Sequence, residues 1–185
     1  MIKTLILPGW QNSGPLHWQS LWEAQYGFER VQQHDWQRPL RGDWIIQLEE
    51  AVLATPADQP VSLVAHSLGC ILIAAWASVS RNTHRVACAF MVAPGDVERP
   101  DVRDMLPSWA PIAVQPLPFR STLVASRDDP FCTFERASAL AQAWGSHLID
   151  AGPCGHINTD SGLGNWPKGH AALLALQGAT VPLPA

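Results

Sequence analysis

With 185 residues, 47% of them hydrophobic and 15% charged, the chain can bury one sizeable core and is too apolar to stay disordered. A formal net charge of −4 without a basic stripe argues against nucleic-acid binding. No apolar run is long enough for a membrane span, and residues 1–9 are too short and lack the cleavage site of a secretory signal, so a cytoplasmic protein is expected. The four cysteines, at 70, 88, 132 and 154, show no CxxC spacing and announce neither a zinc site nor a disulfide framework. Nine Trp against one Tyr is unusual, and most of these indoles are expected in the core.

In chain order, residues 3–7 read as a short buried strand ended by Pro8-Gly9. The loop Gly9-Trp10-Gln11-Asn12-Ser13-Gly14-Pro15 leads to a helix over 16–26, with Pro15 in its first turn. Residues 28–33 form a weakly patterned second strand. Asp43 is expected to cap a helix carrying Trp44, Ile45, Leu48, Val52 and Leu53 at amphipathic spacing. Val61-Ser62-Leu63-Val64-Ala65 has strand character and runs through Ser67 straight into an apolar helical pattern that reaches about residue 80. Residues 86–93 are apolar throughout, as a central parallel strand requires. The proline-studded stretch 94–118 reads as a loop excursion over one end of the sheet. A strand over 123–126, a helix over 134–144, a strand over 147–150 and a helix over 168–176 follow, with 179–185 as a tail. This alternation predicts an α/β fold: a single-domain, doubly wound, mostly parallel six-stranded sheet with helices on both faces. In such sheets reactive groups occupy the loops beyond the carboxyl ends of the strands, here 8–15, 65–69, 126–133 and 151–165.

Those loops carry a consistent chemistry. Ala65-His66-Ser67-Leu68-Gly69 sits between strand and helix patterns, with small residues two positions either side of Ser67, as a nucleophile elbow demands. Ala65 stands where glycine is usual. A serine hydroxyl needs a base, and the base needs an acid to orient it. An acid and then a histidine follow in the order of an α/β-hydrolase: Ser126-Arg127-Asp128-Asp129-Pro130 after the fifth strand, and Gly152-Pro153-Cys154-Gly155-His156 after the sixth. Pro130 holds Asp129 extended, which favours Asp129 over Asp128 as the acid. The Trp10 and Leu68 backbone N–H groups are the expected oxyanion donors, and Gly9, which also makes the tight turn after the first strand, is a candidate substrate-binding residue. His66 is expected to pack beside the elbow, and His17 either touches substrate or caps a helix. Neither a cofactor nor a metal is expected: no HExxH occurs and no histidine pair has metal-ligand spacing on a helix.

The loop from Gly9 to Pro15 with His17-Trp18, the Ala65–Gly69 motif, Asp128-Asp129-Pro130-Phe131 and Cys154-Gly155-His156 together resemble the small serine-hydrolase family typified by retinoblastoma-binding protein nine. The resemblance covers nearly the whole chain in order. It implies a compact α/β-hydrolase fold lacking the first two strands and the full lid of larger members, with Ser67, Asp129 and His156 as triad. It further implies hydrolysis of small carboxylic esters. An LxCxE motif is absent, so a pocket-protein partner is not carried over and any protein partner stays unknown. A non-catalytic interaction protein retaining the fold is the alternative.

Two further expectations concern the surroundings of the site. The stretch 94–118 is too short and proline-broken for a helical lid, so with Trp10 and Trp109 as pocket linings short acyl chains are favoured. A hydrogen bond between Asp129 and His156 would also draw Cys132 and Cys154 together, either as reduced packing thiols or as an oxidisable pair.

Overall fold

The computed structural model describes residues 2–178; the expected tail at 179–185 lies outside them. Six parallel strands form one sheet in the order β2-β1-β3-β4-β5-β6. They are β1 (Lys3–Leu7), β2 (Glu29–Arg30), β3 (Val61–Ser67), β4 (Val86–Pro94), β5 (Arg120–Ala125) and β6 (His147–Asp150). The helices are α1 (Trp18–Tyr26), α2 (Arg41–Ala54), α3 (Leu68–Ala77), α4 (Pro100–Arg103), α5 (Phe134–Trp144) and α6 (Pro167–Gly178).

Alternation along the strands divides the core. Leu5, Leu7, Leu63, Ala65, Ala89, Met91 and Leu123 face α2, α3 and α5, whereas Ile6, Val64, Phe90, Val92 and Val124 face α1 and α6. Strands β3 and β4 lie at the centre, buried on both faces, which accounts for their unbroken apolar sequences. Every residue of α3 from Leu68 to Trp76 is buried as well. The chain order reverses at β1: it goes first outward to β2, then back across to β3. The crevice outside the ends of β1 and β3 is therefore the topological switch point, where such folds bind ligands.

Six of the nine Trp, 18, 22, 44, 76, 109 and 144, are fully buried. Each of their indole N–H groups finds an acceptor, as a buried donor must. Five reach loop carbonyls: Trp18 to Ile157, Trp22 to Asn165, Trp44 to Asp35, Trp109 to Pro39 and Trp144 to Ala113, at 2.7–3.1 Å. Trp76 donates to the Glu49 carboxylate on α2. The large side chains thus fill the core and pin the loops with the same group.

Several boundaries differ from those expected. The second strand shrinks from 28–33 to Glu29–Arg30, and the Arg30 guanidinium ties this short edge strand to Asn12, Ser13, Ser20 and Glu23. Helix α1 begins at Trp18 rather than near Pro15, since His17 is extended and its Nδ1 accepts the Gln19 N–H as a cap. Asp43 lies in the first turn of α2 without capping it. The N-cap is Leu40, and Ser108 Oγ accepts the free Arg41 N–H from across the molecule. The 94–118 excursion contains the single turn α4 and is tied down along its length. Trp109 is its buried anchor, Arg41 donates to the Pro111 carbonyl, and the Ile112 N–H donates to Glu98. No helix among the described residues is long and apolar enough to cross a membrane.

One contact sets how α3 leaves the sheet. A Cβ built on Gly69 would lie 2.3 Å from the Leu7 carbonyl oxygen and 3.0 Å from that of Pro8. Gly69→Ala is therefore expected to force α3 away from β1 and cost about 3 kcal/mol by overpacking against backbone. Gly14→Ala, where nothing lies within 4 Å, should be nearly silent. Urea denaturation of the two variants checks this, and equal stabilities would contradict it.

Candidate active site

Ser67 ends β3 with φ 53° and ψ −119°, a conformation that L-residues avoid, and the β3–β4 register shifts between His66 and Ser67. The strain is sustained by packing on both sides. Gly9 approaches so closely that a Cβ there would meet the Ser67 Cβ at 2.7 Å, while Ala65 is fully buried without needing to be glycine. Gly95, just beyond β4, keeps the space over Ser67 Oγ open, for its added Cβ would sit 3.4 Å away. Gln11, Asn12, Ala93 and Ile157, residues around the same crevice, also have positive φ. Backbone strain is thus concentrated at this end of the sheet.

Asp129 and His156 meet across the ends of β5 and β6. His156 Nδ1 lies 2.9 Å from both Asp129 carboxylate oxygens, and the pair is almost wholly buried. Asp129 Oδ1 also accepts the Phe131 N–H, which fixes the carboxylate. With the Nδ1 proton directed to Asp129, the neutral imidazole leaves Nε2 as its acceptor. Ser67, Leu68, Gly9, Trp10, His17 and His156 all line one cleft of about 560 Å³.

Asp128 faces a different task. Its Oδ1 accepts the Ser126 hydroxyl at 2.8 Å and the Gly155 N–H at 2.7 Å, while Ser126 Oγ accepts the Cys154 N–H at 2.9 Å. These bonds hold the carboxylate below its ordinary pKa, the Ser126 hydroxyl foremost, and staple the loop carrying His156 to the loop carrying Asp129. His66 supplies a second support: its Nε2–H donates to the His156 carbonyl at 2.8 Å, with ring centroids 4.7 Å apart. Gln19, fully buried, binds the switch point together by donating to the Leu7 and Val64 carbonyls and accepting the Ser13 hydroxyl. Ser126 and Gln19 were not singled out by sequence reasoning. A polar residue amid an apolar helix face was the one signal for Gln19, and Ser126 carried none.

Two expectations are corrected. Trp109 does not line the cleft: it is fully buried on Trp44 and bonded to Pro39, because its hydrophobic surface anchors the 94–118 excursion. Cys132 and Cys154 do not pair. They pack into the apolar clusters of opposite sheet faces, and each thiol donates to a nearby carbonyl, of Thr133 and of Ala151 respectively. Burial, then Asp96 and Asp129, pushes the Cys132 thiol up to about 12, so it stays protonated and unreactive.

His17 and His66 stand edge to face at 4.7 Å. Burial, with the neighbouring His156, lowers His17 to about 4 and His66 well below 6.5. Both rings stay neutral in the fold but take up protons in the unfolded chain below about 6.5. Stability is thus complete above that value and declines as pH falls toward 4. His17 alone should remove about 2 kcal/mol between pH 7 and pH 5. Urea midpoints across this range test the point. A flat profile, or one equally steep in His17→Asn, contradicts it.

This geometry can be set beside known proteins. The chain is similar to a putative YdeN-like hydrolase from Pectobacterium atrosepticum, at 29% identity over 98% of this chain and 94% of that one, with a TM-score of 0.83. It is also similar to the ydeN gene product of Bacillus subtilis, at 20% identity over 97% and 100%, TM-score 0.75. Est1E from Butyrivibrio proteoclasticus, solved with ferulic acid bound, shares the fold at 11% identity over 96% and 87%, TM-score 0.68. No curated protein matches the chain. The serine hydrolase family matches residues 4–175, from the second residue of β1 into α6, and the chain belongs to that family.

Proposed function

We propose that the chain is a serine esterase acting on small carboxylic esters, with Ser67 as nucleophile, His156 as general base and acid, and Asp129 as the group that orients His156. The observation that carries this reading is the buried Asp129–His156 pair opening onto the same cleft as a strained serine at the end of β3. In the first step Ser67 Oγ bonds to the acyl carbon as its proton passes to His156 Nε2, and the imidazolium is stabilised by Asp129. The Trp10 and Leu68 amides receive the oxyanion, Leu68 from the first residue of α3, where the helix dipole adds positive character. The alcohol departs with the proton from His156, and a water activated by the same ring releases the acid. Esters suit this arrangement better than amides, because an alkoxide leaving group asks less of the acid step.

A fluorophosphonate probe should label Ser67 and nothing in Ser67→Ala; absence of labelling would return the chain to a non-catalytic binding role. Turnover should nearly vanish in both Ser67→Ala and His156→Ala, without additivity in the double variant. Asp129→Asn should lower kcat by about 10⁴-fold, the magnitude known for the serine-protease triad. Asp128→Asn should lower it by at most about tenfold, since its amide oxygen still accepts the Gly155 N–H. A larger loss in the Asp128 variant would move the acid by one residue.

The pinned 94–118 excursion walls the cleft without covering it. Acetate and butyrate esters should therefore be better substrates than long-chain esters, with no activation at an oil–water interface. Faster hydrolysis of soluble long-chain esters would contradict this.

A further inference from the structure

The cleft has two chemically different walls. One comes from the excursion after β4, with Val97, Val102, Met105 and Leu106. Its two acids are neutralised there, Asp96 by Arg136 at 3.5 Å and Asp101 by Arg99 at 2.7 Å. The other comes from the start of α1 and the turn after His156, with His17, Asn158, Thr159 and Asp160. The Trp18 indole bond to the Ile157 carbonyl holds those two segments side by side.

Two features of the polar wall lack a protein partner. His17 is only 4% exposed, and its Nδ1 accepts the Gln19 N–H, so the neutral ring carries its proton on Nε2. That buried Nε2 has no hydrogen-bond partner, and an unmade bond of this kind is costly unless a ligand completes it. Asp160 is the one cleft-lining carboxylate, among the described residues, without an arginine or lysine beside it.

We propose that this wall is the leaving-group subsite for a polyhydroxylated, uncharged alcohol, His17 Nε2–H donating to one of its oxygens and Asp160 accepting from its hydroxyls. The proposal rests on the serine-esterase reading. There, His156 must hand its proton to the alcohol oxygen as the acyl–oxygen bond breaks, so the alcohol passes the residues that follow His156. The short acyl chain then lies on the apolar wall. An anionic alcohol would meet Asp160 with no cation to balance it, and a purely aliphatic one would leave the His17 donor unsatisfied. A polyol completes both groups.

The experiment compares kcat/KM for glycerol monobutyrate and ethyl butyrate, two soluble esters with the same acyl group. The wild type should favour the glycerol ester by about tenfold or more, as one or two directed hydrogen bonds allow. His17→Asn keeps an N-cap acceptor for α1 but removes the distal donor, and should lower the ratio about tenfold, mainly through KM. Asp160→Asn should lower it by a smaller factor, while His17→Ala adds a loss of thermal stability that His17→Asn does not show. A wild-type ratio near one, or a ratio unchanged in His17→Asn, overturns the proposal. Fluorophosphonate labelling of Ser67 in the same samples separates the two levels. With labelling intact only the subsite assignment falls, and without it the esterase reading falls too.

Discussion

The close approach of α3 to the end of β1 is the constraint from which the rest follows. A Cβ on Gly69 would fall 2.3 Å from the Leu7 carbonyl oxygen, so the contact leaves no volume for a side chain. The first turn of α3 can start only there, and the chain must reverse within one residue. Ser67 is that residue, and its positive φ follows from the geometry. The same closeness lets Gly9 press on the Ser67 Cβ and leaves Leu68 and Trp10 lining one cleft. A serine is thus raised above the sheet by packing that tolerates no alternative position, the means by which folds sustain local strain.

The other half of the cleft is held by hydrogen bonds rather than by close packing. His156 and Asp129 reside on loops that would wander if only their own bond joined them. Instead Ser126 and Asp128 take up the amides of Cys154 and Gly155, His66 takes the His156 carbonyl, and Trp18 takes the next carbonyl, that of Ile157. Each supporting group belongs to a strand end, a strand-end loop or a helix buried against the sheet. The rigidity of the core is thereby passed to a short loop that also buries Ile157 and packs Ala151 and Cys154 against the same core. Buried indoles do the same for more distant loops, and Gln19 does so for the ends of β1 and β3.

What was legible in the sequence was local or ordinal. The strand–Ser67–helix succession, and an acid followed by a histidine after later strands, are written along the chain, and the structure brings Asp129 and His156 together as their order implied. Strand β6 and helix α5 were read to the residue because both ends carry their own signals: Thr133 and Gly145 cap α5, and β6 starts directly after that Gly145-Ser146 turn. What escaped was the outcome of partners far apart in sequence. Asp43 looked like a cap, yet Ser108, brought by the excursion, satisfies the helix start. Trp109 looked like a cleft residue, yet the Pro39 carbonyl and Trp44 draw it into the core. Cys132 and Cys154 were placed together by loop convergence, but their side chains depart to opposite faces of the sheet, which spacing alone does not encode.

The burial of α3 from Leu68 to Trp76 has a consequence for how the chain is made. From Val61 to Ala77, and again from Val86 to Pro94, there is no Asp, Glu, Lys or Arg. Both segments leave the ribosome before α5, β6 and α6 exist to cover them, and each combines β-forming apolar residues with an absence of gatekeeping charge. The central strands that make the finished protein rigid are therefore its most adhesive parts while it is being synthesised. Refolding from denaturant should be strongly concentration-dependent, with recovery limited by self-association of these strands rather than by the stability of the final sheet.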